Sequence, residues 1–205
     1  MDEAVSRTEV EAIIERELPE MPGWCGVEKG KRMAELSYGA SLCVEIGVFG
    51  GRGLIAMSLA LADQRFGCAD GIDPYEASAS LEGTNAPENN AWWGSLNYEA
   101  IARVAQVKIC ALGLFPYARL IRLPSREVVS CYANESIDVL HLDANHSEET
   151  SCEDVGLWAP KIKPGGYWVF DDTDWSTTQK AQLDLEALGF KMLEKHPNWK
   201  VYQRP

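Results

Sequence analysis

The 205-residue sequence predicts an open, twisted α/β sheet that is mostly parallel, has an antiparallel strand near the C-terminus and carries helices on both faces. Three observations predict this fold. Short apolar segments recur along the chain and alternate with segments in which apolar residues have helical spacing. Glycine or aspartate follows most of the strands, as is usual where a ligand binds beyond the carboxyl ends of parallel strands. Two strands lie next to each other at the end of the chain, with no helix between them.

The elements begin with an N-terminal helical segment, residues 1–38. It contains an amphipathic helix over about 2–18, ended by Pro19, and a second helix over 28–38. Short apolar segments predict strands at 41–46, 68–72, 118–122, 137–142, 167–170, 190–195 and 199–203. Helical spacing predicts helices at 54–62, 96–112, 125–132, 147–158 and 177–188. Residues 76–95 show no clear period and are predicted to form the longest loop. No repeat or linker interrupts the series, so we expect one domain over residues 1–205.

Composition limits the function classes. Nineteen Lys and Arg against thirty-one Asp and Glu give a net charge of −12, the wrong sign for binding nucleic acid or an anionic membrane surface. The acidic N-terminus does not resemble a signal peptide, and no apolar run reaches the length of a membrane span. The six cysteines are far apart and are expected to be reduced core residues of a cytoplasmic protein.

Glycines follow the first strand and open the next helix, in the segment 45–53. They let the backbone turn tightly and approach a ligand, while the start of the helix presents free N–H groups. The spacing differs from the GxGxxG fingerprint of dinucleotide-binding proteins. The pattern of Glu45, Gly47 and Gly51 instead resembles the acidic-x-Gly-x-x-x-Gly motif of class I S-adenosylmethionine-dependent methyltransferases. Tight packing of strand against helix is the alternative explanation.

Two polar residues follow the next two strands. Asp73 ends the second strand, where a carboxylate can accept hydrogen bonds from both hydroxyls of a ribose. Because Pro74 comes next, a turn is the alternative role for Asp73. In the methyltransferases that the chain resembles, a small polar residue after the third strand lies beside the adenine. The resemblance implies that position for Ser125, which is also an ordinary helix N-cap residue.

Three carboxylates follow the fourth and fifth strands. Asp143 ends strand 137–142, and Asp171 and Asp172 end strand 167–170. We expect them to converge, because neighbouring parallel strands end at the same edge of the sheet. Three carboxylates repel one another unless a cation holds them, and oxygen ligands suit Mg²⁺ better than zinc. The sequence therefore predicts a magnesium site on these three residues, with simple loop caps as the alternative.

The motifs around these acids make the resemblance more specific. The chain is similar to metal-dependent O-methyltransferases of the catechol, macrolide-sugar and cephamycin types. This similarity is carried by residues 142–146 (LDANH), Asp154, Trp158, residues 163–166 (KPGG) and residues 170–172 (FDD). Residues 26–30 (GVEKG) are similar to the catechol-type segment that closes over the methionine end of the cofactor.

The resemblance implies a Rossmann-like fold that binds S-adenosylmethionine and a divalent cation, with Mg²⁺ as the expected ion. The implied cofactor site consists of Glu45, Gly47, Phe49, Gly51, Asp73, Ser125, Asp143 and Ala144. The implied metal ligands are Asp143, Asp171 and Asp172.

Departures from the family pattern leave the general base open. Catechol-type enzymes carry lysine where this chain has His146, and macrolide-sugar types carry an acid at the place of Asn145. A neutral imidazole near a divalent cation can take a proton from a hydroxyl, so we predict that His146 and Asp143 are catalytic. The alternative is that His146 caps the following helix. His141 alternates with Val139 on the fourth strand and is predicted to be a packed core residue.

The predicted loop 76–95 lies beside this site and contains Trp92 and Trp93. It is a candidate substrate lid, in which the two indole rings stack on a sugar or a phenol. The alternative is that the two tryptophans anchor the loop on the core. Together these features predict an O-methyltransferase that acts on a hydroxylated small molecule. A homo-oligomer of this chain is compatible with the sequence. Two alternatives stay open, a nucleotide-binding oxidoreductase of the same architecture and a non-catalytic protein that binds the cofactor. The acceptor class rests on analogy, since one fold hosts many functions.

Overall fold

A computed structural model describes residues 6–205, so the part of the predicted first helix before Ser6 lies outside it. The helices are α1 (Arg7–Glu17), α2 (Val27–Ser37), α3 (Arg52–Gln64), α4 (Ala77–Ser80), α5 (Pro87–Gly94), α6 (Tyr98–Ala111), α7 (Ser125–Val128), α8 (Glu148–Trp158) and α9 (Gln179–Ala187). The strands are β1 (Leu42–Ile46), β2 (Cys68–Ile72), β3 (Ala118–Ile121), β4 (Ile137–Leu142), β5 (Ile162–Phe170), β6 (Lys191–Lys195) and β7 (Lys200–Gln203). Short 3₁₀ turns follow α1, α7 and α8 and precede α9.

The strands form one seven-stranded sheet in the order β3-β2-β1-β4-β5-β7-β6. The first five strands in this order pair in parallel, and β7 pairs antiparallel with both β5 and β6. The predicted mostly parallel, Rossmann-like sheet is thereby confirmed. The order reverses at β1, because the chain builds outward to β3 and then returns to place β4 on the other side of β1. The ends of β1 and β4 therefore border the crevice in which such sheets bind ligands.

Side chains on neighbouring positions of the central strands enter two different cores. Cys43 of β1 and Val139 of β4 pack into one apolar cluster, while Val44 and Leu140 pack into the other. This alternation follows from the two-residue period of a strand. The first cluster contains residues of α1, α2, α3 and α6, and the second contains residues of α7, α8 and α9. Helices thus cover both faces of the sheet, as predicted.

The structure corrects three details of the sequence prediction. Residues 76–95 are not a continuous loop, since they contain α4 and α5, neither of which has a buried residue. Strand β5 begins at Ile162, ahead of the predicted turn, and a register shift against β4 accommodates the glycines there. The cysteines are free thiols, but Cys110 and Cys131 are exposed and are not core residues. None of the helices within residues 6–205 is long and apolar enough to span a membrane.

The start of α3 leaves no space for a side chain at Gly53. A Cβ atom there would lie 1.9 Å from Oε1 of Glu45 and 3.0 Å from Nδ1 of His141. Neither neighbour has room to move, because Glu45 and His141 are both buried and hydrogen-bonded to each other. Gly156 in α8 is the opposite case, since nothing lies within 4 Å of an added Cβ.

We therefore expect Gly53→Ala to lower the free energy of unfolding by about 3 kcal/mol, the upper range for overpacking a core. Gly156→Ala is the matched control and should raise it by up to about 1 kcal/mol, since alanine favours a helix more than glycine does. Urea unfolding followed by circular dichroism measures both values. Equal stabilities of the two variants would contradict the packing described here.

Candidate functional site

Glu45 at the end of β1 fixes the start of α3. Its Oε2 accepts a hydrogen bond from the backbone N–H of Leu54 at 2.7 Å, which satisfies one of the free donors in the first helical turn. Its Oε1 lies 2.8 Å from Nδ1 of His141 on the neighbouring strand β4. His141 is fully buried, as predicted, but it also takes part in this polar contact. Glu45 thereby sets the two ends of the glycine loop that joins β1 to α3.

The glycine loop packs backbone against backbone on the turn after β4. Gly47 has φ +85°, and a Cβ atom there would lie 2.0 Å from the carbonyl oxygen of Asp143. Phe49 and Gly51 also have positive φ values, +48° and +91°. Three left-handed residues in one loop give the tight turn that the sequence predicts, and they bring the ends of β1 and β4 together.

Asp73 at the end of β2 organises the same loop. Its Oδ2 accepts hydrogen bonds from the backbone N–H groups of Val48 (3.0 Å) and Phe49 (2.9 Å), and its Oδ1 accepts one from Tyr75 (2.7 Å). Burial raises the pKa of Asp73 above its ordinary value, although these three bonds act against that rise. A carboxylate offers roughly four acceptor positions, so Asp73 keeps capacity for a ligand hydroxyl. The bond to Tyr75 is the predicted turn contact, and the bonds to the glycine loop are an additional role.

Lys29 of α2 reaches the acids at the ends of β4 and β5. Its ammonium group bonds Oδ2 of Asp171 and lies 3.8 Å from Oδ2 of Asp143. Both Lys29 and Asp171 are almost completely buried. Burial acts to raise the pKa of Asp171, but the charge on Lys29 outweighs it and lowers that pKa to about 2. Burial and the neighbouring Asp171 raise the pKa of Asp143 well above its ordinary value.

His146 lies on the open side of these acids. Its Nε2 is 2.8 Å from Oδ2 of Asp172 and 4.0 Å from Oδ1 of Asp143, and its ring packs edge-on against Trp175 at 5.0 Å. The predicted alternative, a helix cap, is filled by another residue, since the hydroxyl of Ser147 accepts from the backbone N–H of Thr150. Ser147, and not His146, therefore caps α8.

The structure brings the acids together as two overlapping groups. One consists of His141, Asp143 and Asp171, the other of Asp143, His146 and Asp172, with ligand atoms within 4.8 Å in each. In the first group Oδ1 of Asp171 is buried without a hydrogen-bond partner among the described residues. Such an orphaned carboxylate oxygen, beside the carboxyl group of Asp143, fits a hard cation. The predicted set of Asp143, Asp171 and Asp172 thus shares one edge of the sheet, divided between the two groups.

Ser125 contacts an acid that the site prediction omitted. Its hydroxyl donates to Oδ1 of Asp154 on α8 at 2.6 Å, and Asp154 is only 6% exposed. Burial raises the pKa of Asp154 to about 7. The neighbouring cation Arg126 is paired with Glu82 at 2.7 Å instead. Ser125 does not act as an N-cap, since α7 already begins at this residue.

Asn145 ties α4 to the turn after β4. Its side-chain Nδ2 donates to the carbonyl oxygens of Ala79, Ser80 and Glu82 at 2.9–3.1 Å. Its Oδ1 accepts from the backbone N–H of Ser147 and the hydroxyl of Thr150. One amide group therefore joins the segment 77–82 to the residues between Asp143 and α8.

The following helix, α5, is attached by aromatic rings. Trp92 and Trp93 pack edge to face at 4.6 Å, and both contact Trp24 and Phe49 at ring distances of 5.1–6.4 Å. The cluster links α5 to the glycine loop through Phe49. It is not a buried core, because Trp24 is 61% and Trp92 41% exposed.

These elements enclose one cavity of about 470 Å³ at the carboxyl edge of the sheet. That volume is within the usual range for a small-molecule site. Predicted site residues that line it are Glu45, Gly47, Phe49, Asp73, Ser125, Asp143, Ala144, His146, Asp171 and Asp172. Gly51, predicted to bind the cofactor, is not among the lining residues and instead packs against Ala105 of α6.

Three residues that organise this site were not assigned a role from the sequence. Lys29 and Asp154 fall within motifs that carry the family resemblance, which was the available signal. Asn145 also lies in such a motif, residues 142–146, and it departs there from the macrolide-sugar pattern. Their partners, Asp171, Ser125 and Glu82, lie 142, 29 and 63 positions away in sequence.

Comparison with known proteins identifies a family. The family described as "Methyltransferase domain" matches residues 44–173, which contain the glycine loop and all three acids. The search of curated proteins gives no match.

Solved structures share the fold at low sequence identity. The O-methyltransferase NovP superposes with a TM-score of 0.69 at 15% identity, over 87% of this chain and 80% of NovP. An S-adenosylmethionine-dependent O-methyltransferase from Thermotoga maritima gives 0.64 at 12% identity, over 95% and 71% of the two chains. The O-methyltransferase TomG from Streptomyces achromogenes, solved with S-adenosylmethionine, gives 0.57 at 16% identity, over 99% and 88%.

We expect Asn145→Asp to release the segment 77–94. The substituted carboxylate keeps the acceptor for Ser147 but loses the donor to three carbonyl oxygens and repels them. Since each lost hydrogen bond costs about 1 kcal/mol, amide hydrogen exchange in 77–94 should accelerate more than tenfold, with exchange in the sheet unchanged.

Asn134→Asp is the matched control, because its side chain is exposed and contacts only Lys161. It should leave exchange in 77–94 at the wild-type rate. The attachment described here is wrong if both variants exchange alike.

Proposed function

This chain belongs to the methyltransferase domain family, and on that premise we propose that it is an S-adenosylmethionine-dependent O-methyltransferase acting on a hydroxylated small molecule. The acceptor we propose is a sugar or natural-product intermediate, and the metal is a divalent cation, Mg²⁺ first. The observation that carries the proposal is the meeting of Asp143, Asp172 and His146 in the same cavity that Asp73 and Ser125 line. This combination favours the methyltransferase over the oxidoreductase and the non-catalytic alternative.

The cofactor half of the cavity lies at the ends of β1, β2 and β3. In this proposal Asp73 binds a ribose hydroxyl, and its bonds to Val48 and Phe49 hold the glycine loop in shape. The ring of Phe49 and the backbone of Gly47 would lie against the methionine part. Ser125 and Ala144 would border the base. This assignment leaves the reacting methyl group facing the acids of β4 and β5.

The metal would be held by Asp143, Asp171 and Asp172, and Lys29 would fix the position of Asp171. A divalent cation bound there lowers the pKa of an acceptor hydroxyl and orients it. The positive charge of Lys29 offsets one negative charge of Asp143, Asp171 and Asp172, so these acids can remain close together.

We assign the transfer of the hydroxyl proton to His146. Its Nε2 faces Asp172, which holds the ring in place, and Trp175 limits its rotation from the other side. When bound, S-adenosylmethionine would supply the methyl group: the acceptor oxygen would form a bond to the methyl carbon as the carbon–sulfur bond breaks, which would release S-adenosylhomocysteine. The hydroxyl proton passes to His146. Holding the two reacting atoms in line is the main contribution expected of the protein.

The acceptor is expected to carry no phosphate or other strong anion. Among the described lining residues, both arginines are already engaged, Arg52 by the carbonyl oxygen of Met21 and Arg126 by Glu82. The described lining residues include no lysine. The segment 76–95, with Trp92 and Trp93, would act as the lid that closes over this acceptor.

Calorimetric titration of S-adenosylhomocysteine tests the cofactor assignment. We expect binding to the wild-type protein and at least tenfold weaker binding to Asp73→Ala, because hydrogen bonds to a charged group contribute about 1.5–3 kcal/mol. Asp63→Ala is the control, since Asp63 accepts a bond from Tyr38 and is not among the cavity lining residues. Binding of NAD in place of S-adenosylhomocysteine would refute the proposal.

Methyl transfer to a panel of sugars and polyhydroxylated natural products tests the catalytic assignment. His146→Gln should slow transfer by about 10²–10⁴-fold while leaving S-adenosylhomocysteine affinity unchanged, because a general base contributes about that factor. His196→Gln is the control, as His196 stacks on Trp199 and is not among the lining residues. Chelation with EDTA should stop transfer and Mg²⁺ should restore it. Full activity of His146→Gln would exclude it as the base.

A further inference from the structure

Asp154 is a buried carboxyl for which the proposed transfer step has no use. It lines the cavity, has one hydrogen bond, from Ser125, and has no ion pair among the described residues. Within that part of the chain no hydrogen-bond donor reaches its second oxygen, Oδ2, so this oxygen is available to a ligand in the cavity that Asp154 lines. A buried carboxyl is costly unless it is paired, so an unpaired one in a cleft indicates a ligand.

The position of Asp154 identifies which part of the ligand it meets. Ser125 follows β3, and the acids that would bind the acceptor follow β4 and β5. Four strand spacings of about 4.8 Å separate β3 from β5, or roughly 19 Å across the cavity. If the methyl group faces β4 and β5 and the ribose lies at Asp73 on β2, the nucleobase extends toward β3. Asp154 then lies at the far, nucleobase end.

Resting on the proposed function, we propose that Asp154 is the specificity-determining residue for the nucleobase, accepting a hydrogen bond from the 6-amino group of adenine through Oδ2. The hydroxyl of Ser125 holds the carboxyl in orientation by occupying Oδ1 at 2.6 Å. A 6-oxo purine presents an acceptor at the same place and is repelled by the carboxylate. The site therefore selects an adenosyl over an inosyl cofactor.

The Asp154→Asn variant reverses the hydrogen-bonding pattern without changing the size of the side chain. Its amide oxygen keeps the bond from Ser125, which leaves the NH₂ group facing the cavity. Two donors then oppose each other when adenine binds, whereas the oxygen of hypoxanthine gains a donor. The preference should invert, which a loss of folding or of cavity shape would not produce.

The test is titration of S-adenosylhomocysteine and S-inosylhomocysteine into each variant at pH 8.5, above the raised pKa of Asp154 (about 7). Wild-type protein should prefer the adenosyl compound by at least tenfold, since one hydrogen bond to a charged group is worth about that factor. Asp154→Asn should prefer the inosyl compound, and Asp154→Ala should bind the two about equally.

Two controls accompany these variants. Ser125→Ala keeps the carboxylate and should retain the adenosyl preference with weaker binding. Glu127→Gln removes a charge from α7 and is not among the cavity lining residues, so it should match the wild-type ratio. If wild-type protein binds the adenosyl compound but the ratio is the same in Asp154→Asn, the role of Asp154 is wrong and the proposed function stands. If wild-type protein binds neither compound, both are wrong.

Discussion

The buried ion pair between Lys29 and Asp171 is the contact on which the site depends. Strand ends in a parallel sheet bring Asp143, Asp171 and Asp172 to one edge, where their charges repel. Lys29 supplies a fixed positive charge from α2, and α2 also packs on α3. Removing one partner of a buried pair leaves an uncompensated charge at a cost of about 3–5 kcal/mol. The N-terminal helices are therefore part of the site as well as a cover for the sheet.

Local sequence signals were sufficient to predict the sheet and the glycine loop. Strands β1, β2 and β4 are short apolar segments bounded by glycine or aspartate, and their observed bounds agree with the predicted ones within one residue. The left-handed turn at Gly47 depends on neighbours close in sequence. Helices α4 and α5 were missed because they bury no residue, so their sequence carries no apolar period to detect.

The contacts that the sequence did not reveal join distant parts of the chain. Lys29 of α2 contacts Asp171, which follows β5. Asn145, which follows β4, holds α4 through the carbonyl oxygen of Ala79. Both contacts form only in the folded chain. The motif spacing predicted that Asp143 and His146 lie at one edge of the sheet. It did not predict that His146 faces Asp172 or that the acids fall into two groups. The pairing of Ser125 with Asp154 depends on how α7 lies beside α8, which no local pattern encodes.

The distribution of indole rings gives the protein an optical property. Of its seven tryptophans, Trp24, Trp92, Trp93 and Trp175 line the cavity, while the other three, Trp158, Trp168 and Trp199, are buried in the fold. Fluorescence from the four cavity tryptophans reports on the cavity, and fluorescence from the three buried tryptophans reports on the core. Ligand entry and unfolding should therefore alter intrinsic fluorescence in different ways, so that occupancy can be followed in the unlabelled protein.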